Sequence, residues 1–127
     1  MQSRGIDGTK HVVEAESFNV EAGLSALGKV KNISTYRSII CANDLLAAAA
    51  LRFLSTLKIE VPNKIAVIGI DNTDLASVLS PALTSIDYKS EYRGELAAMF
   101  ILERLNDPTK AYRKISIAPE LVERESA

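Results

Sequence analysis

Residues 64–70, KIAVIGI, form a short, nearly unbroken apolar run that stops at Asp71 and Asn72. A strand can carry apolar side chains at consecutive positions only where both faces of its sheet are sheltered, which is the situation of a parallel sheet between helices. The rest of the chain must then supply helices and further strands. SIICA, residues 38–42, is a second β-rich run, and Asn43 and Asp44 follow it at once as residues that favour a helix N-terminus. LLAAAALRFLSTL reads as the helix after it, DLASVL as a short helix before Pro81, and ALTSIDY as another strand. EYRGELAAMFILERL reads as a further helix ending at Asn106-Asp107-Pro108. Upstream, Val20, Leu24, Leu27 and Val30 recur with helical spacing, so a one-sided helix is expected from Asn19 to a point between Gly28 and Asn32. HVVEAE is expected to form a short strand, and the tail RKISIAPELVERESA two edge strands separated by Pro119. Strand and helix alternate, which predicts an α/β fold, a three-layer parallel sheet flanked by helices, in one unit spanning 1–127.

The helix LLAAAALRFLSTL carries more than one apolar stripe. Leu46, Ala50, Phe53 and Leu57 form one, Ala47, Leu51 and Leu54 lie beside it, and Leu45, Ala48 and Ala49 lie beyond. Such a helix needs cover on two sides.

Composition narrows the function. Fifteen Lys plus Arg against sixteen Asp plus Glu give a formal net charge of −1, so this chain has no global attraction for a polyanion and is not expected to bind nucleic acid by itself. Cys41 is the only cysteine, which excludes an internal disulfide and a cysteine-based zinc site. Inside SIICA it reads as a small buried hydrophobe. No long apolar stretch resembles a signal core or a membrane span, so a cytoplasmic location without membrane contact is expected. His11 is the only histidine, and no nucleophile–base pair can be assembled around it, so neither catalytic nor metal-binding residues are assigned. Neither GxGxxG nor GxxxxGK[ST] occurs, and no cofactor is expected. Asp71 follows a strand as a phospho-acceptor aspartate would, but the acidic pair and strand-end lysine needed for Mg²⁺ and phosphate are missing.

Ligands of open parallel sheets bind beyond the carboxyl ends of the strands. That rule selects Asn43 and Asp44 after SIICA, Asp71 and Asn72 after KIAVIGI, and Tyr88 after LTSID. A carboxylate that accepts from two hydroxyls, an amide that donates and accepts, and an aromatic ring over an apolar sugar face together suit a small polyol. Asn43 has an equally good reading as a helix cap. Asp44 is read first as a cap or a first-turn charge on the helix dipole. In DNTD, Asp71 is favoured for ligand contact over a turn role. Tyr88 is balanced between the two.

ICANDLLAAAALRFL, VPNKIAVIGIDNTDLASVLSPALTSIDY, YRGELAAMFILERL and APELVERES, in that order, closely resemble the carboxyl-terminal half of the LacI/GalR family of transcription regulators. The combination of AND, VP-x-x-I-x-V-x-G-x-D, P-x-LT-x-I and LVERES carries the resemblance over residues 36–127. FNVEAGLSAL extends it back to about residue 18.

The resemblance implies part of the carboxyl-terminal subdomain of a periplasmic-binding-protein-like fold. It implies a partial effector-binding and dimerisation domain, with the helix-turn-helix headpiece outside this chain. The implied partners are a sugar-like effector, a second copy of the chain, and operator DNA only through that headpiece. A periplasmic-type sugar receptor with no DNA role is the alternative. Carried over by position, Asn43 and Asp71 face effector and Tyr88 is a cleft residue. Arg4 is the only candidate for a further effector-gripping arginine, although RGIDG departs from the family's arginine-to-glycine spacing. Leu45, Ala48, Ala49, Arg52, Val78 and Leu79 are implied as pairing residues, against the alternative that the second helix stripe packs only within one copy. The family's helix equivalent to 90–105 lies in the other subdomain. Leu96, Met99, Phe100 and Leu102 are therefore expected to find cover by repacking onto the chain or by exchange with a second copy.

Overall fold

The computed structural model describes residues 8–127. Among the described residues four α-helices and four strands alternate: α1 (Val20–Gly28), β1 (Ser38–Ile40), α2 (Asp44–Thr56), β2 (Ala66–Ile70), α3 (Asp74–Val78), β3 (Thr84–Asp87), α4 (Ser90–Asn106) and β4 (Glu120–Val122). The sheet runs β1-β2-β3-β4, with the first three strands parallel and β4 antiparallel to β3. The α/β class and the helix-flanked, mainly parallel sheet agree with the sequence reading.

Both expected helix starts are capped by asparagine. Asn19 accepts from the Ala22 amide at 2.8 Å and Asn43 from the Leu46 amide at 2.9 Å, each satisfying a donor that the first turn leaves free. The two apolar sides of α2 are explained by its position. One side lies over the sheet, burying Ala47, Ala50, Leu51 and Leu54 with Ile65, Val67 and Leu83. The other lies against α1, where a Cβ at Gly23 would come within 2.7 Å of the Ala49 Cβ. Glycine there lets the two helices approach closely.

Burial along β2 alternates, and this corrects the reading of KIAVIGI as covered on both faces. Ile65, Val67 and Gly69 are buried beneath α2, whereas Ala66, Ile68 and Ile70 are half-buried. Their neighbours in register on that second face include Ile40, 66% exposed, and Leu121 on β4, 48% exposed. Among the described residues α2 is the only helix packed broadly on a strand, so one face alone is fully sheltered.

HVVEAE is not a strand. It follows a 3-10 turn at Gly8–His11 with Val12 and Val13 exposed, and a strand without a neighbour to complete its ladder does not persist. In the tail only Glu120–Val122 pairs, and residues 113–117 are irregular for the same reason. α4 does not repack onto the body. None of its residues is buried, and it shares no extended packing with another helix or strand. Its cover comes from residues 107–113, which fold back so that Arg113 lies 4.5 Å above the Phe100 ring and Arg104 lies 4.1 Å from the Tyr112 ring centre.

Candidate functional site

The parallel register places the ends of β1, β2 and β3 at one edge of the sheet, so Asn43, Asp71 and Tyr88 share a rim. Asn43 does act as the cap of α2, and its Nδ2 donates to the Phe18 carbonyl at 3.3 Å. Its amide can form four hydrogen bonds, so these two leave it able to donate and accept once more. Tyr88 is 39% exposed beside the start of α4. Arg4 lies outside the described residues.

Asp71 and Asn72 have φ of 104° and 49°. Side chains other than glycine rarely adopt positive φ, and such conformations persist only where surrounding bonds enforce them. Here three successive amides are held. Asp71 N–H donates to the Ile86 carbonyl (2.9 Å), Asn72 N–H to Ser85 Oγ (3.1 Å) and Thr73 N–H to Asp44 Oδ2 (2.7 Å). The Asn72 side chain is also consumed by the fold, because its Nδ2 donates to Asp87 Oδ2 at 3.3 Å and its Oδ1 accepts from Arg124 Nη2 at 2.8 Å. Asp71 is exposed. Removal of water by surrounding protein, and then the negative charge of Asp44, raise its carboxyl pKa above the ordinary value.

Asp44 departs from its sequence reading in one respect. It does occupy the first turn of α2, where a negative charge meets the helix dipole favourably, but its hydrogen bonds leave the helix. It is 1% exposed and accepts from Thr73 N–H, Thr73 Oγ1 (2.9 Å) and Ser85 Oγ (2.6 Å). Sequence reasoning missed Ser85 and two residues of the tail. Arg124 donates to the Leu83 carbonyl at 2.8 Å, and Ser126, fully buried, donates to the Val67 carbonyl at 2.6 Å while accepting from Thr84 N–H at 2.9 Å. LVERES therefore pins the tail across β2 and β3 and, through Arg124, braces the Asn72 turn.

Asp87 closes the rim beside Tyr88. The Lys89 amide donates to it at 2.6 Å and, with Asn72 and the Lys89 ammonium, holds its pKa below the ordinary value. Lys89 pairs in turn with Glu120 on β4. Cys41 is buried, and burial pushes its thiol pKa up to about 12, in keeping with a packing role. His11 stands edge-on to Tyr36, with ring centres 5.8 Å apart.

The residues expected to pair with a second copy divide. Leu45 is 42% and Val78 77% exposed, Arg52 is exposed and Ala48 half-buried. Leu79 packs partly on the core, and Ala49 is fully buried beneath α1 and cannot reach a second copy. Among the described residues no helix is long and apolar enough to cross a membrane.

The chain matches the periplasmic binding protein-like domain over residues 1–127. The ribose operon repressor of Escherichia coli (strain K12) is 35% identical over 91 residues, 72% of this chain and 28% of that protein. The transcriptional regulator CelR in its complex with cellobiose superposes with a TM-score of 0.87 at 25% identity, covering 99% of this chain and 39% of that one. A LacI family transcriptional regulator from Enterococcus faecalis V583 with bound ribose gives a TM-score of 0.78 at 28% identity, covering 89% and 42%. The chain thus spans less than half the length of each. It belongs to the periplasmic binding protein-like domain family, among that family's LacI-type members.

Proposed function

We propose that this chain is the ligand-sensing and pairing part of a LacI-type transcription regulator that responds to a sugar or a related small metabolite in the cytoplasm. In this reading Asn43, Asp71 and Tyr88 contact the ligand, and Arg4 is a fourth contact on the strength of the resemblance alone. One observation carries the reading. In the turn after β2 the fold consumes the Asn72 and Thr73 side chains, while Asp71 is set out at positive φ with an exposed carboxylate. A carboxylate so placed can accept from two neighbouring sugar hydroxyls. Ribose and cellobiose in similar solved regulators support a sugar as ligand. The domain acts as a binding module and not as an enzyme. Its near-neutral charge leaves operator contact to a headpiece of the whole regulator.

Titrating D-ribose and cellobiose into the ¹⁵N-labelled protein tests the ligand assignment. Because the chain spans less than half of the similar solved regulators, weak binding is expected, read as shifts at high sugar concentration at the Asn43, Asp71, Asn72 and Tyr88 amides, and Asp71→Asn should abolish them. A panel of pentoses, hexoses and disaccharides that leaves those amides unmoved would overturn it.

Pairing uses the outer side of α2 and the end of α3, through Leu45, Ala48, Arg52, Val78 and the exposed part of Leu79. The two faces meet isologously, as in most homodimers. Sedimentation should show a concentration-dependent dimer that the double substitution Leu45→Glu, Val78→Asp converts to monomer. A wild-type protein that stays monomeric at every concentration would remove this part of the proposal.

A further inference from the structure

Asp44 is the one fully buried carboxylate among the described residues, and four separate pieces of the fold meet on it. Its Oδ1 accepts from Ser85 Oγ on β3, and its Oδ2 accepts twice from Thr73, through the backbone N–H and the hydroxyl. Its own backbone opens α2, and the carboxylate lies over Gly69 of β2. A Cβ at Gly69 would stand 2.4 Å from Asp44 Oδ1 and 2.8 Å from Leu83 Cδ2, so only glycine leaves the slot open. Ser85, while donating to Asp44, also accepts from the Asn72 amide. Asp44 is thereby bonded directly to one end of the Asp71–Thr73 turn and, through Ser85, to its middle.

We propose that Asp44 is the positioning residue of the rim. It holds the turn after β2 in its left-handed conformation, and so sets where Asp71 meets the ligand. This inference rests on the ligand reading above for its functional consequence, but not for its geometry. A buried carboxylate that loses its donors, or donors that lose the carboxylate, leave unsatisfied polar groups, so the turn and Asp44 stand or fall together. A residue serving only to fasten α2 to the sheet would need neither the bonds to Thr73 nor the relay through Ser85. Because Asp44 also begins the helix that carries Leu45 and Ala48, a displacement of the Asp71 turn reaches the first turn of the pairing helix through one side chain.

Two substitutions separate acceptor geometry from mere anchoring. Asp44→Asn can keep an oxygen toward Thr73 and turn its NH₂ toward Ser85 Oγ, which can accept in place of donating. Asp44→Ala removes every acceptor. In ¹⁵N spectra of the folded proteins, three-bond HN–Hα couplings at Asp71 and Asn72, read together with their intraresidue HN–Hα NOEs, report positive φ, and amide exchange at Thr73 reports its bond. Asp44→Ala is expected to alter the couplings and speed the exchange, with D-ribose binding at least about tenfold weaker. Asp44→Asn should preserve all three.

If Asp44→Ala lowers the melting temperature but leaves the couplings and Thr73 exchange unchanged, the residue is an anchor and the inference is overturned. If Asp44→Asn is as damaging as Asp44→Ala, charge and not acceptor geometry is what matters, and the inference is again overturned. Should Asp44→Ala fail to fold, Thr73→Val, which deletes one of the three donors, must still shift the Asp71 and Asn72 amides, and their constancy would overturn the inference. If the wild-type protein ignores ribose and every sugar of the panel, the ligand reading is what fails, and the couplings and exchange alone decide the role of Asp44.

Discussion

α2 and α4 are the two long apolar helices of this chain, and they have opposite fates. α2, with thirteen residues, buries six, while α4, with seventeen, buries none. Their sequences do not foretell this, since FILERL, with four large apolar side chains, is richer in them than LRFLST, with three. The difference lies in connection. α2 leaves β1 and returns to β2 beside it, so it must lie across the sheet it links. α4 leaves β3 through Lys89, at φ 54°, and the chain does not rejoin the sheet until β4. Periodicity announces a helix, but topology decides whether anything lies over it.

The sharpest way to break this contrast is to truncate a buried leucine of α2. Leu54 is fully buried among Ile65, Val67 and Leu83, and Leu54→Ala should cost about 2–5 kcal/mol in urea unfolding. A loss below about 1 kcal/mol would mean that the helix is not seated on the sheet as described. Gly69→Ala tests the same seating from the strand side. Its new Cβ would meet Asp44 Oδ1 and Leu83, and the strain should cost about 1–3 kcal/mol. It should also disturb the Thr73 amide, because the group displaced is the carboxylate that Thr73 donates to.

On α4 the expectation reverses. Leu105 is 73% exposed, and Leu105→Ser should change unfolding free energy by about 0.5 kcal/mol or less. A loss comparable to that of Leu54→Ala would show that a second copy or another segment covers α4 in solution.

The parts legible in the sequence are those encoded by neighbours along the chain. The helix start at Asn19, the Asn43 cap, the spacing of Val20, Leu24 and Leu27, and the β-rich runs before Asn43 and Asp71 all act within one or two turns of themselves. Strand-end logic then places Asn43, Asp71 and Tyr88 on one rim without reference to any distant contact. What escapes it depends on partners far along the chain. Asp44 meets Ser85, Asn72 meets Arg124, and Ser126 meets Val67, separations of 41, 52 and 59 residues. No periodicity marks such pairs. Ala49 is misread from sequence because an alanine suits both a helix–helix contact and a subunit interface, and only Gly23 opposite it decides between them. HVVEAE has the composition of a strand, but composition does not supply the neighbour a ladder requires.

Asp71 carries the smallest of the expected effects on stability and the one that best joins fold to function. Its carboxyl binds a proton more tightly in the folded protein than in the unfolded chain, first because protein displaces water around it and then because Asp44 is negative. Between the ordinary aspartate pKa of 3.8 and its raised folded value, the native state therefore holds more protons than the unfolded state. This group's contribution to stability falls as pH rises through that window. Asp87 has the opposite sign, since the Lys89 amide lowers its pKa and its contribution is lost as pH falls. Asp71→Asn removes only the first effect. The variant should be more stable than wild type at neutral pH, by an amount that shrinks as both are titrated below the ordinary aspartate range, where the wild-type carboxyl is neutral too. Part of the gain will not depend on pH, because asparagine tolerates positive φ well. A gap in melting temperature that stays constant from neutral to acid pH would mean that neither the loss of water nor Asp44 raises the Asp71 pKa in the folded protein. A gap that narrows, in a variant blind to sugar, would mark Asp71 as a group held against the preference of the fold, as ligand-contacting residues often are.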